Sequence, residues 1–471
     1  MATSSNALAE PLRHRWPTIV AALSLAACAG QPADLVIHNV TAIDAVNGAR
    51  SGVDVSIRDG HIAAVATTRI DRANEHIDGE GLYLIPGLWD MHVHLTYDDR
   101  FTPSMPRDFL RYGITSVRDT GGALPALLPV IARMREPDAV APRVYFSGPL
   151  LDSTPVVYDG DNVPLIGTAI DQASDALRRV TALRDAGASF IKIYEMVEPD
   201  VFDALVAAAN QLDLPIAAHV PLSMLASDAG PRVHSLEHLR NIELDCAAGH
   251  ETLLQTRRAI LRRARMRDDT AGLKLRQSIH GVQRDDAIDS EVDARCRAVL
   301  TSLRQTIQVP TLRLNAINQH IPMARDDWQD AVDALPESVR DGWREPPVWL
   351  TTQINPSFFK LGQWSVDMVP KLLAADVPIG AGTDTPIAYA IPGYSLHNEL
   401  VILADAGLTP LQALAAATTV PARFLDLQDV TGTIDIGKHA DLVLLSADPL
   451  DDIENTRRID TVILRGRVVR P

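Results

Sequence analysis

Leu82-Tyr83-Leu84-Ile85-Pro86-Gly87-Leu88-Trp89-Asp90-Met91-His92-Val93-His94 decides how the rest of the chain is read. An apolar, strand-like run ends in two histidines one residue apart. Residues i and i+2 of a strand point to the same side, so His92 and His94 can aim both imidazoles at one point. Neutral imidazole is a common ligand of zinc and related metals. Two histidines on one strand face are also met as ordinary hydrogen-bonded core groups. What decides between these is the distribution of partners downstream.

Beyond that stretch, strands and helices alternate, the pattern of a parallel α/β arrangement. Strands are expected near 86–92, 114–118, 143–148, 189–194, 214–219, 233–238, 308–313 and 378–383. Helices are expected over Asp171–Ala186, Pro199–Leu212, Val366–Ala375, Ser395–Ala406 and Pro410–Ala417. Eight such strands predict a (β/α)8, TIM-like barrel over 86–424, with its site at the C-terminal ends of the strands. From 247 to 344 the chain is charged and helical in pattern, which predicts a helical insert after the sixth strand, read as a lid or as an oligomer-contact elaboration. Short strands precede and follow the barrel, including the hairpin Val53–Arg58, Asp59-Gly60, His61–Val65. Residues 28–85 and 425–471 are expected to fold together as a small composite β-sandwich, since neither has enough strands to stand alone.

The 471 residues suit a barrel with an accessory domain. With 44 basic against 60 acidic side chains the formal charge is −16, which argues against nucleic acid as a partner. Residues 1–27 read as a secretory signal: Arg13 and Arg15, the apolar run Trp16–Ala27, then Leu25-Ala26-Ala27-Cys28. The last four residues resemble a bacterial lipobox, which implies cleavage before Cys28, a lipid on its sulfur and a periplasmic, membrane-anchored protein. About a dozen apolar residues are too few to span a bilayer as an uncleaved anchor. Cys246 and Cys296 remain, available as a disulfide in an oxidising compartment or as two buried thiols.

Further candidate ligands fall at the ends of the predicted strands: Lys192, His219, His238 and Asp384. The ordered set His92-x-His94, Lys192, His219, His238, Asp384 resembles the metal-dependent amidohydrolase superfamily. Gly437-Lys438-His439-Ala440-Asp441-Leu442-Val443 agrees with it, and Ser116–Gly122, Phe190-Ile191-Lys192 and Ser235-Leu236-Glu237-His238 look most like its prolidase-like, imidazolonepropionase-like branch. The resemblance implies two divalent ions, zinc being the ordinary one, held by His92, His94, His219, His238 and Asp384 and bridged by Lys192. An ammonium beside two cations would be repelled, so it loses its proton or reverses its charge. Carbon dioxide addition makes it a bridging carbamate, and an unmodified lysine beside one metal is the competing state. Tyr194 and Arg118 are candidate substrate contacts, Arg118 equally a partner for Asp119. His397 is a candidate supporting group. His234 reads as a core histidine, and His250, His280 and His320 as surface.

The implied reaction is amide hydrolysis by a metal-activated hydroxide, with Asp384 as general base and acid. The branch suggests dipeptides or N-acyl amino acids as small-molecule substrates. Trp343, Trp349, Phe358, Phe359 and Trp364 either line the pocket for an apolar or aromatic group or pack the insert. Competing readings are a lactonase, esterase or cyclic-amide hydrolase on the same site and a mononuclear deaminase. The deaminase relatives carry His-x-x-Glu, whereas Val220-Pro221-Leu222 follows His219. A binding protein on a degenerate barrel would have lost ligands. Self-association into a homo-oligomer stays open.

Overall fold

The computed structural model describes residues 32–161, 163–267 and 271–469. The expected signal segment and Cys28 lie outside them. No helix among the described residues is long and apolar enough to cross a membrane.

Both chain ends build one eight-stranded sheet. Its order is Arg467–Val469, Ile459–Leu464, Leu442–Leu445, Tyr83–Pro86, Ala33–Asp44, Gly48–Arg58 and His61–Ala66, with Ala73–Asp78 alongside the start of Ala33–Asp44. Asp59 and Gly60 take φ of 50° and 74°, the left-handed pair a two-residue hairpin needs. The ends meet where Tyr83–Pro86 runs antiparallel to Leu442–Leu445. Ile37, Val55, Leu84, Leu442 and Leu444 bury their side chains in one core there. The ladders form one continuous hydrogen-bonded sheet from strands of both chain ends, the two pieces that were expected to fold together.

Tyr83–Pro86 passes through Gly87 straight into the strand Leu88–Val93. A Cβ at Gly87 would stand 2.1 Å from Thr115 Oγ1, so only glycine lets these backbones approach. Leu88–Val93, Ile114–Asp119 and Arg143–Phe146 form a parallel three-stranded sheet. Leu150–Asp152 continues the third strand and pairs with Ile191–Ile193, followed by Ile216–Ala218, Ser235–Glu237 and Ile307–Val309, all parallel. Residues 378–385 contribute two bridges, Ile379 to Gln308 and Thr385 to Val93, both parallel.

The helices follow their sequence signals. Pro199–Gln211, Tyr394–Asp405 and Pro410–Ala416 lie where expected, the last held by a Thr409–Gln412 capping box. Pro356–Ala374 starts ten residues earlier than Val366, because Asn355 caps Ser357 N and Pro356 fits the first turn. The stretch 247–344 is divided by the strand Ile307–Val309. His250–Arg265, Gly272–Asp289 and Asp293–Ser302 precede that strand, and short helices from Leu312–Asn315 to Val348–Thr351 follow it. Cys246 and Cys296 are joined as a disulfide that closes the loop carrying the first two of these helices.

Candidate metal centre

All six expected ligands come together. His92, His94, Lys192, His219, His238 and Asp384 line one small cavity with Tyr158, Tyr194 and Arg240. His92, His94, Lys192, His219 and His238 stand at or just past the C-terminal ends of their strands, Asp384 lies in the bridged stretch 378–385, and each is at most 5% exposed. Backbone bonds from Asp384 N to His92 O (2.7 Å) and from His94 N to Thr385 O (2.9 Å) fix the first and last strands beside each other. Asp90 reinforces that seam, accepting from Thr383 N at 3.0 Å and Thr383 Oγ1 at 2.6 Å. His238 and Asp384 sit at φ of 64° and 60°, a left-handed conformation costly for non-glycine residues and common where function requires it.

The imidazoles are held from behind. His92 Nδ1 donates to Glu237 Oε2 (2.6 Å), His94 Nδ1 to the Gly121 carbonyl (2.9 Å), His219 Nδ1 to Glu195 Oε1 (2.7 Å) and His238 Nδ1 to Thr311 Oγ1 (2.6 Å). With each Nδ1 held from behind, each Nε2 faces the cavity. His92 Nε2 and His94 Nε2 each lie 3.2 Å from Asp384 Oδ1. Ligand atoms of His92, His238 and Asp384 fall within 4.8 Å of one another. Lys192 Nζ is buried, has no hydrogen-bond partner and lies 4.0 Å from Glu237 Oε1.

Electrostatics favour the ligand forms. Burial and the neighbouring Lys192 pull His219 down to about 3, and burial holds His238 well below its ordinary value. Both imidazoles are neutral at physiological pH. Burial lowers Lys192 to about 8. Burial opposes ionisation of Asp384, but His92 and His94 overcome it and hold the carboxyl well below its usual range. An unpartnered buried amine beside the neutral His219 and His238 and a carboxylate is a poor core and a good cation site. The donor set fits divalent ions.

Two candidates belong elsewhere. Arg118 meets neither a substrate cavity nor Asp119. It is fully buried beneath the site, where its guanidinium donates to Ser235 Oγ (2.9 Å), Glu237 Oε1 (2.8 Å) and the Met91 carbonyl. His397 lies outside the site, between Thr456 Oγ1 (2.8 Å) and the Tyr112 carbonyl (2.9 Å). Tyr194 does line the cavity, its ring 4.4 Å from that of His219. His234 accepts from Ile216 N at 3.0 Å and is no ligand.

His280, expected at the surface, is buried, and its Nε2 donates to Glu195 Oε2 at 2.9 Å. Arg276, one helical turn earlier, places Nε 3.1 Å from Glu195 Oε1. The helix Gly272–Asp289 thus reaches over the strand ends and grips the carboxylate that orients His219. Glu237 was visible inside the Ser235–His238 phrase. Glu195 directly follows Tyr194 but carried no spacing signal, and its helix partners carried none either. Of the five aromatics, Trp349 and Phe358 line a cavity beside the site, while Trp343 packs on Phe101 and Tyr389, and Trp364 donates to Glu291.

Residues 364–469 match the amidohydrolase family model, a segment that contains Asp384 but none of the other five candidate ligands. Urease subunit alpha 1 of Streptomyces avermitilis is 28% identical over 207 residues, 41% of this chain and 34% of that protein. Adenine deaminase of Oceanobacillus iheyensis is 30% identical over 115 residues, 24% of this chain and 17% of that protein. The matches thus span about a third or less of these relatives' length. Among solved structures, a Xaa-Pro dipeptidase with bound methionine aligns over 93% of this chain and 100% of its own, at TM-score 0.65 and 19% identity. A putative prolidase from Bifidobacterium longum aligns over 93% and 95% (TM-score 0.64, 22% identity), and bottromycin amidohydrolase over 92% and 86% (0.68, 23%). Residues 364–469 thus match the amidohydrolase family model, and the chain as a whole shares the α/β fold of these solved structures.

Proposed function

We propose that this chain is a binuclear metal-dependent hydrolase that cleaves an amide bond in a small substrate, a dipeptide or N-acyl amino acid bearing an apolar or aromatic group. The observation that carries this is the convergence of four Nδ1-anchored histidines, Asp384 and the unpartnered Lys192 Nζ on one cavity. His92 and His94 would hold one ion and His219 and His238 the other, with carboxylated Lys192 between them. We read the parallel strands as a (β/α)8 barrel closed by residues 378–385, supported by their bridges to both neighbours. The signal-like N-terminus supports export and a lipid anchor at Cys28.

Divalent ions at such a site, zinc first among them, supply Lewis acidity and water activated near neutral pH. Asp384 accepts the proton of the attacking water and returns it to the leaving nitrogen. Tyr194 stays protonated, because burial raises its hydroxyl well above the ordinary value, and it can donate to the developing oxyanion. Glu195 and Glu237 hold His219 and His92 in the donor tautomer throughout.

A library of dipeptides, N-acyl amino acids, lactones and aryl esters, tested on zinc-loaded protein, checks this reading. Amide turnover that falls about 100-fold or more in Asp384→Asn supports it. Turnover of lactones or esters alone would move the assignment to those substrates. No turnover of any class by fully loaded protein would refute it.

A further inference from the structure

Beside the metal cavity lies a second, larger one of about 790 Å3, within the range that holds small ligands. The two are adjacent, with Arg240 lining both. One wall is cationic, with Arg240, Arg276 and Arg284, and no carboxylate lines the cavity. That is unexpected in a chain with 60 acidic against 44 basic residues. Arg276 is committed to Glu195. Arg284 is not committed to any partner: it is 9% exposed and makes no hydrogen bond or ion pair among the described residues. Its nearest aromatic neighbour is Phe358, with the guanidinium 6.0 Å from the ring centre. Glu243, the carboxylate that acts on it most strongly, lies outside ion-pair distance. Arg240 is half-buried, with Nη1 3.6 Å from Glu195 Oε1 and no hydrogen bond. A guanidinium withdrawn from water without a hydrogen bond is costly.

Another part of the lining is apolar. Ile317, Trp349 and Phe358 line it, and Trp349 and Phe358 keep 43% and 56% of their surface exposed. Exposed aromatic surface beside Arg284, which has no hydrogen bond or ion pair among the described residues, matches a ligand that is apolar along its body and anionic at one end.

We propose that this cavity is a substrate subsite that takes an anionic group, a carboxylate or similar, carried on an aryl or alkyl body extending past Arg240 from the metal centre. Arg284 and Arg240 receive the anion, and Trp349 and Phe358 cover the body. This deepens the hydrolase reading and rests on it only for calling the ligand a substrate. The anion lies away from the scissile bond, so the favoured substrates are longer than a dipeptide.

The test is calorimetric titration of the full chain with 4-phenylbutyrate and with the neutral 4-phenylbutyramide. The carboxylate should bind at least about 10-fold tighter than the amide, and Arg284→Gln should remove about 10- to 100-fold of its affinity, the worth of a hydrogen bond to a charged group. Arg284→Lys should restore part of it, and Phe358→Ala should weaken both probes alike. Equal binding of carboxylate and amide by wild type overturns the proposal, even if Arg284→Gln fails to fold. So does a change under 2-fold in a folded Arg284→Gln protein. Lys192→Ala should bind the probe as wild type does. Retained binding without any amide hydrolysis by wild type would therefore count against the hydrolase reading alone.

Discussion

Replacing Arg118 tests whether the metal ligands are held from below. Its guanidinium lies 2.8 Å from Glu237 Oε1, with both groups fully buried, and stacks 4.3 Å from the centre of the Phe424 ring. Glu237 uses its other oxygen to hold His92 Nδ1 at 2.6 Å. At an effective dielectric of about 20, the attraction across 2.8 Å is about 6 kcal/mol before desolvation is subtracted. Removing one member of such a buried pair costs about 3–5 kcal/mol, because the other charge is left uncompensated. Arg118→Met keeps most of the volume and should lose about that much. Glu237→Gln alone should also destabilise, and the double variant should cost less than the sum by about 2–3 kcal/mol. The assay is denaturant unfolding of the metal-free proteins, with metal affinity measured alongside. Arg118→Met should also weaken metal binding, since His92 loses its fixed orientation. A coupling below about 0.5 kcal/mol would refute the structural role. A variant with unchanged stability and metal content but a raised KM would show that Arg118 meets substrate instead.

Three further perturbations probe other parts of the fold. His280→Ala removes one of the groups on Glu195 and should weaken binding of the second divalent ion about 10- to 100-fold in a chelator competition, with the first ion unaffected. Cys246→Ala with Cys296→Ala opens a loop of sequence separation 50 and should cost about 4 kcal/mol in denaturant unfolding, a loss that reductant reproduces in wild type. Burial pushes Asp152 up from 3.8 to about 7, against the backbone N–H groups of Val157 and Met196 that favour its anion. Between those values the folded state binds more protons than the unfolded state, so this group's contribution falls as pH rises. Wild type should lose about 3–4 kcal/mol relative to Asp152→Asn between pH 4 and pH 7, and a pH-independent difference would contradict the shift.

The six candidate ligands were legible because five of them lie at strand ends, where period-two alternation and residue type carry the information. The Asp59-Gly60 hairpin and the helix starts at Pro199 and Pro410 were legible for the same local reason. What the sequence did not display depends on contacts distant along the chain. Glu195 meets His280 across 85 residues, and nothing local marks His280 as other than a helix-surface residue. Arg118 ends its strand next to Asp119, yet its partner is Glu237 on another strand, 119 residues away. The strand expected near 308–313 is present as Ile307–Val309, three residues long, inside the stretch otherwise read as a helical insert. Residues 378–385 pair by two bridges alone, so their role rests on position more than on strand length. The continuous end-to-end sheet follows from the 12-residue strand Ala33–Asp44, which pairs with Gly48–Arg58, Ala73–Asp78 and Tyr83–Pro86.

Metal content per chain, by plasma mass spectrometry on wild type and Lys192→Ala grown with bicarbonate, bears most directly on the central claim. Two equivalents in wild type and clearly fewer in Lys192→Ala are predicted, because a carbamate on Lys192 would join the His92–His94 side to the His219–His238 side. One equivalent in both proteins would contradict the bridging role of Lys192. No metal after reconstitution would contradict the hydrolase assignment itself.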